Sequence, residues 1–234
     1  MPSLKLKDRD YVAPVLTTPP PSLAPTGPAG KVLFIPYKDI SISLNWNTYV
    51  ISSAVTGTLT PLTQVLPVGL KAVTWAFATG ECGAESWAGI TPAQVAANQA
   101  AWVQAGVQYI VSTGGANGAF TCGSDAGFSA FIATYTSSSL LGVDFDIEAG
   151  QSQADIANLV QRVKVAQAAH PGLRFSFTLA TLGGTQGGDQ LGSTGKLVMA
   201  AIKAAGLNWS NVFINLMASE WGRMRLGVPA GLVG

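Results

Sequence analysis

The chain of 234 residues is predicted to be an α/β protein built on a parallel sheet. Three observations predict this. From Lys31 onward, short apolar runs alternate with helix-like stretches at roughly 35-residue spacing, the pattern of strands joined by crossover helices. One run, "LLGVDFDIE" at 140–148, puts Asp144, Asp146 and Glu148 at alternate positions. In a strand these carboxylates share one face, while Val143, Phe145 and Ile147 share the other. No G-x-G-x-x-G fingerprint follows the first strand, as it would in an open dinucleotide-binding sheet. A TIM-type (β/α) barrel is the closure that remains, with about six of its eight βα units recognisable.

Residues 1 to about 30 contain "APVLTTPPPSLAPTGPAG", whose Pro, Thr and Ser content reads as an extended tail or linker. The barrel is expected over 31–234. Strands are predicted at 31–37 (KVLFIPY), 71–78 (KAVTWAFA), 107–115 (VQYIVSTGG), 140–148, 173–180 (LRFSFTLA) and 211–217 (NVFINLM). Thr91-Pro92 supplies an N-cap and a first-turn proline for the helix "AQVAANQAAWVQAG". Ser152 and Asp155 form a capping-box pair ahead of "IANLVQRVKVAQAAH", and "KLVMAAIKAAG" ends on a glycine suited to a left-handed cap. "GSTGKL" at 192–197 only faintly resembles a phosphate loop, because the glycine and the Ser or Thr that frame such loops are missing. The chain shows no close internal repeat.

Composition narrows the function. Charged residues make up 11% of the chain, against about 25% in an ordinary soluble domain, and the formal net charge is +1. That balance offers no footprint for nucleic acid or an anionic membrane surface. No apolar run approaches the roughly 18 residues that span a bilayer. The opening "MPSLKLKDRD" has no hydrophobic core after its charges and is no secretory signal. An uncharged, Gly- and Ala-rich surface is common among secreted enzymes, so a monomeric extracellular protein is expected, with its export signal removed or replaced.

The acid triplet carries the chemistry. A crossover strand of a barrel has no water-facing side, and residues at its carboxyl end build the site. Like charges this close raise one another's pKa, so the cluster should hold a proton near neutral pH, and a carboxylic acid kept protonated is a general acid. A hard-metal site is the competing reading, but it would draw ligands from several elements. The single histidine, His170, precedes Pro171 at a helix end and reads as structural. Neither a metal nor an organic cofactor is expected.

At these residues a family resemblance appears. "GVDFDIE" resembles the D-x-D-x-E core of glycoside hydrolase family 18 chitinases, in the branch that ends its fourth strand in D-F-D-I-E. Leu141 stands where the full D-G-x-D-x-D-x-E signature has its first Asp. "YIVSTGGANG" is similar to the third-strand S-x-G-G motif through Ser112, Gly114 and Gly115. "INLMASEWG" is similar to the sixth-strand N-x-M-x-x-D-Y-G through Asn215, Met217 and Gly222, with Glu220 for the Asp and Trp221 for the Tyr. The resemblance implies a substrate-assisted retaining hydrolase acting on chitin or N-acetylglucosamine oligosaccharides. It casts Glu148 as general acid, Asp146 as the group that holds the substrate acetamide, and Asp144 as its proton-sharing partner. Ser112, Gly114, Gly115, Met217, Glu220 and Trp221 become substrate-side positions by the same resemblance.

Tyr37 and Phe77, near the ends of the first two strands, are expected either to line the cleft or to join the core, and the same choice holds for Trp87. Cys82 and Cys122 follow the second and third strands, in adjacent rim loops. A disulfide between them is expected, with free thiols as the alternative. After Gly222, "RMRLGVPAGLVG" contains no seventh βα unit, and no tryptophan remains for the family's barrel floor. The barrel is therefore expected to be incomplete at its C-terminal end. The alternatives to a chitinase are a noncatalytic chitin-binding or lectin-like relative, an inactive fragment, and an endo-β-N-acetylglucosaminidase.

Overall fold

A computed structural model describes residues 33–55, 57–148, 150–181 and 191–217. The Pro-rich segment 1–30 and the motif residues Glu220, Trp221 and Gly222 lie outside the described residues.

The first strand, β1, is Tyr37–Asp39, later than the sequence pattern predicts. Pro36 explains the shift: it has no N–H for a ladder, and only its carbonyl joins, accepting from the Thr74 N–H at 2.8 Å. The antiparallel meander β2 (Leu44–Asn45), β3 (Val50–Val55) and β4 (Thr58–Pro61) follows, then a single turn of helix, α1 (Leu62–Val65). Simple strand–helix alternation does not predict this insertion. Next come β5 (Ala72–Ala78), β6 (Gly80–Glu81), α2 (Pro92–Ala96) and α3 (Gln99–Gln104).

Thr91 caps α2 through a full capping box with Gln94, and Pro92 opens the helix. The expected single helix is nevertheless split in two. The amide of buried Asn98 donates to Val95 O (3.1 Å) and Tyr49 O (2.9 Å) and accepts from Ile51 N (2.9 Å). Asn98 thus ties the helix pair to the meander, and its local bond to Val95 competes with the helical ladder.

The remaining elements are β7 (Gln108–Gly114), β8 (Phe120–Thr121), α4 (Asp125–Tyr135), β9 (Leu140–Ile147), α5 (Gln153–Ala169), β10 (Arg174–Ala180), α6 (Ser193–Ala205) and β11 (Val212–Met217). Ser152 and Asp155 form the predicted capping box on α5, and Gly206 ends α6 at φ +64°.

The main sheet has six strands in the order β1-β5-β7-β9-β10-β11, all pairs parallel. Chain order is kept across the sheet with no reversal, whereas a doubly wound sheet changes direction at a switch point. This is the progression of a (β/α) barrel. Among the described residues β1 and β11 remain its two edges.

Two faces of each strand meet different surroundings. On β9, Val143, Phe145 and Ile147 are buried in the main apolar core, where the Phe145 ring lies 5.1 Å from Phe177 and 6.0 Å from Phe128. Further along, Trp75 stacks on Tyr109 at 4.0 Å and meets Trp102 edge-on at 5.1 Å. These aromatic contacts account for much of the burial, since each ring removes on the order of 150–250 Å² from water. The opposite face of β9 carries Asp144 and Asp146.

Beyond the carboxyl ends of β5 and β7, a short parallel pair, β6 with β8, forms part of the rim. Cys82 and Cys122 are joined there by the expected disulfide, with Cα atoms 5.0 Å apart. Glu81 binds the same loop, accepting from Thr121 Oγ1 (2.5 Å) and Gly123 N (2.6 Å). Of the two places open to Trp87, cleft or core, it takes the core: it is 1% exposed, with Nε1 donating to Tyr135 Oη at 2.7 Å.

The disulfide spans a separation of 40 residues. In the chain-entropy model such a loop contributes about 4 kcal/mol. Denaturant unfolding with and without reductant should show a loss of about that size, and thiol titration of unreduced, unfolded protein should find no free thiol.

Candidate active site

Strand register assembles the site. Ser112 on β7 and Ser176 on β10 both stand opposite Asp144 on β9; Gly114 and Thr178 stand opposite Asp146. Same-phase residues on neighbouring parallel strands face the same side, so the hydroxyls converge on the carboxylates.

Asp144 is 1% exposed and accepts five hydrogen bonds. Oδ1 receives Ser176 Oγ (2.6 Å), Thr178 Oγ1 (2.9 Å) and Asn215 Nδ2 (3.2 Å). Oδ2 receives Ser112 Oγ (2.7 Å) and Tyr37 Oη (3.0 Å). Each donor has a hydrogen to give, so the five groups can together solvate a carboxylate here. Burial raises the pKa of Asp144, and the hydroxyl donors oppose that rise.

Two of these donors come from the edge strands, Tyr37 on β1 and Asn215 on β11. Asn215 Nδ2 also donates to Thr178 Oγ1 at 3.1 Å, and Tyr37 Oη lies 2.8 Å from the same oxygen, a contact that competes with the bonds to Asp144 for one hydroxyl hydrogen. A flat six-strand sheet would hold its edges about 24 Å apart at the usual strand spacing. The sheet is therefore curled, its edges facing each other across Asp144.

Asp146 is in the opposite situation. It is 5% exposed, and its Oδ1 has no hydrogen-bond partner among the described residues. Burial first, then the negative charges of Asp144 and Glu148, push its pKa up to about 8. Burial raises both carboxyls, so the pair holds a proton at neutral pH, and the donors gathered on Asp144 favour leaving that proton on Asp146, whose Oδ1 is orphaned.

Two glycines let this carboxyl sit where it does. Gly114 has φ +86°, and a Cβ there would lie 2.1 Å from the Asp146 carbonyl oxygen. Gly115, at φ +83°, donates its N–H to that carbonyl (2.9 Å), and a Cβ on it would press the Phe77 ring at 3.2 Å. Both positions require glycine for close approach as well as for backbone conformation. Phe77 follows a cis Ala76–Phe77 peptide and stacks with Tyr37 at 6.0 Å.

Glu148 lies just past the end of β9 and borders two cavities. One, of about 230 Å³, is lined by Asp39, Phe77, Thr79, Gly114 and Asn117 among others. The second, of about 500 Å³, lies against Ala180 and the first turn of α6, Gly192–Lys196. The "GSTGKL" segment is thus a helix start beside Glu148.

Of the residues singled out by sequence, Tyr37, Ser112, Asp144 and Asn215 meet directly, while Phe77, Gly114, Gly115, Asp146 and Glu148 surround them. Met217 ends β11, its carbonyl accepting from Thr181 Oγ1 at 2.8 Å. Sequence reasoning passed over Ser176 and Thr178. Their signal was present in "RFSFTLA", where two hydroxyl residues alternate with apolar ones just as the carboxylates do in "VDFDI".

No family model matches the chain, and no curated protein matches it. Solved structures do. The catalytic domain of a hyperthermophilic chitinase from Pyrococcus furiosus aligns at 25% identity with a TM-score of 0.56, covering 83% of this chain and 60% of that one. Active domain 2 of the thermostable Pyrococcus furiosus chitinase, solved as catalytic-site mutants complexed with chito-oligosaccharides, aligns at 23% identity with a TM-score of 0.55 and the same coverage. The chain therefore spans about 60% of the length of these structures. What the likeness shows is the fold: an α/β architecture on a parallel central sheet like that of these chitinase structures.

The orphaned, protonated Asp146 makes stability pH-dependent. Its folded pKa, about 8, is raised above the unfolded value of about 3.9. The folded state holds the extra proton between those values, so stability is greatest at low pH and falls as pH rises through that window. Asp146→Asn cannot ionise and should abolish this slope. From these two values the variant gains up to about 5 kcal/mol on the parent between pH 4 and pH 8, as read by the change of the stability difference in denaturant unfolding across pH.

Proposed function

We propose that the chain carries the catalytic centre of a chitinase-type glycoside hydrolase that cleaves β-1,4-linked N-acetylglucosamine by substrate-assisted retention. The observation that carries this reading is the unpartnered Oδ1 of buried Asp146 between Asp144 and Glu148. A buried polar atom without a partner costs roughly 1–3 kcal/mol. A substrate N–H delivered to it recovers that cost, and the 2-acetamido group of N-acetylglucosamine has such an N–H.

In this reading Glu148 protonates the leaving glycosidic oxygen, and the bond to the anomeric carbon breaks. The acetamide carbonyl oxygen attacks that carbon and forms an oxazolinium ion. As positive charge develops on the acetamide, Asp146 passes its proton toward Asp144 and becomes the carboxylate that stabilises it. Asp144 can alternate between charged and neutral because its donors are hydroxyls and an amide, groups that reorient without leaving place. Water then opens the oxazolinium, with Glu148 acting as base. Glu220 and Trp221 are assigned to contact the reacting sugar by motif alone. The disulfide fits an extracellular setting.

Glu148→Gln keeps the shape of the side chain but has no proton to transfer. It should lower kcat on chitin oligosaccharides by about 10²–10⁴-fold with little change in KM. Unchanged turnover would remove Glu148 from the role. The nucleophile belongs to the substrate, so fully deacetylated oligomers should not be cleaved by the parent protein. Ready hydrolysis of chitosan without N-acetyl groups, followed by product chromatography, would exclude the mechanism.

A further inference from the structure

Asp39 ends β1 at the carboxyl side of the sheet and shares the 230 Å³ cavity with Glu148. Its carboxylate is fixed along one edge only: Oδ1 accepts from Ser41 N (2.8 Å) and Ser41 Oγ (2.6 Å). Oδ2 makes no hydrogen bond to any described residue. The adjacent Lys38 turns away, its Nζ lying 3.5 Å from Ser53 Oγ on β3, and Asp39 forms no ion pair among the described residues. The cavity thus combines an oriented carboxylate edge, the carboxyl of Glu148, the neutral polar groups of Thr79 and Asn117, and the Phe77 ring.

Neutral hydroxyls and amides already suffice to bind a neutral sugar. The Asp39 carboxylate gives this small cavity a negative potential that does not depend on Glu148, and a cationic occupant relieves it. Among hexoses of the chitin series, only deacetylated glucosamine brings a cation, its 2-ammonium. The ammonium is also smaller than the acetamide it replaces, which suits a cavity of this volume.

We propose that this cavity holds the sugar next to the reactive N-acetylglucosamine, and that Asp39 selects glucosamine there by pairing Oδ2 with the 2-ammonium. The preferred substrate is then partly N-deacetylated chitin, acetylated at the reacting unit and deacetylated at its neighbour. This inference rests on the chitinase reading of the Asp144–Asp146–Glu148 site.

The test is calorimetric binding to the full chain carrying Glu148→Gln, at low salt and below the pKa of the sugar amine. The ligands are fully acetylated chitotetraose and tetramers with one glucosamine at each position in turn. At one position glucosamine should bind about two- to fivefold more tightly than the acetylated tetramer, the range of a partly exposed charge pair. That preference ratio should fall toward unity when Asp39→Asn is added, and should shrink with salt. Asparagine keeps the Oδ1 acceptor for Ser41, and unchanged thermal unfolding confirms the variant's fold. A ratio that Asp39→Asn leaves unaltered, or a preference for acetylated sugar at every position, overturns the inference. The chitinase reading survives that outcome if acetylated tetramer binds and the parent protein cleaves it. If no tetramer binds, both fall together.

Discussion

The rest of the structure depends on keeping one buried carboxylate hydrated by protein in place of water. Asp144 is almost wholly removed from solvent, and an isolated ionised group in such a place costs several kcal/mol even after relaxation. The fold answers with four hydroxyls and one amide, drawn from β1, β7, β10 and β11. Strands far apart in chain order must therefore bring side chains to a single point. Curvature of the sheet is the geometric result, so electrostatic satisfaction and barrel-like form are one constraint seen from two sides.

The same constraint divides labour within the acid cluster. Asp144 has donors on both oxygens, whereas among the described residues none reaches Oδ1 of Asp146, though the two lie two residues apart on one strand. Stabilised charge on one and a retained proton on the other follow from that asymmetry. Burial first, and then Coulomb repulsion from Asp144 and Glu148, disfavours ionisation of the second. Gly114 and Gly115 matter because they let β7 crowd the Asp146 backbone and leave room for Phe77. The chemistry of the pair is thus set by backbone approach as much as by the acids themselves.

Around this centre, Glu148 stands where two cavities meet, one toward β1 and β5 and the other toward the start of α6. The rim beyond the sheet is tied by the Cys82–Cys122 bridge and by Glu81, and Trp87 is locked beneath it through Tyr135 and Glu85. Rigid rim loops suit a site in which an acid must hold its place against a polymer.

Much was legible in the sequence because it is local. Alternation on "VDFDIE" determined which residues share a face, since the strand period is two whatever surrounds it. Capping at Thr91 and Ser152 and the glycine stop at 206 were likewise readable, because cap chemistry needs only a few neighbouring residues. The late start of β1 at Tyr37 and the split between α2 and α3 were not read, although Pro36 and Asn98 stand in plain view. Asn98 acts through Tyr49 and Ile51, about fifty residues away, and no local pattern reports such a partner. The meander over 44–61 escaped for a similar reason, being packed to the side of the repeating units. At the site, the sequence by itself determined that three carboxylates line one face and that glycines attend them. Only the tertiary structure decided which carboxyl keeps the proton, because that depends on five donors converging from four strands on Asp144 and on none reaching Oδ1 of Asp146.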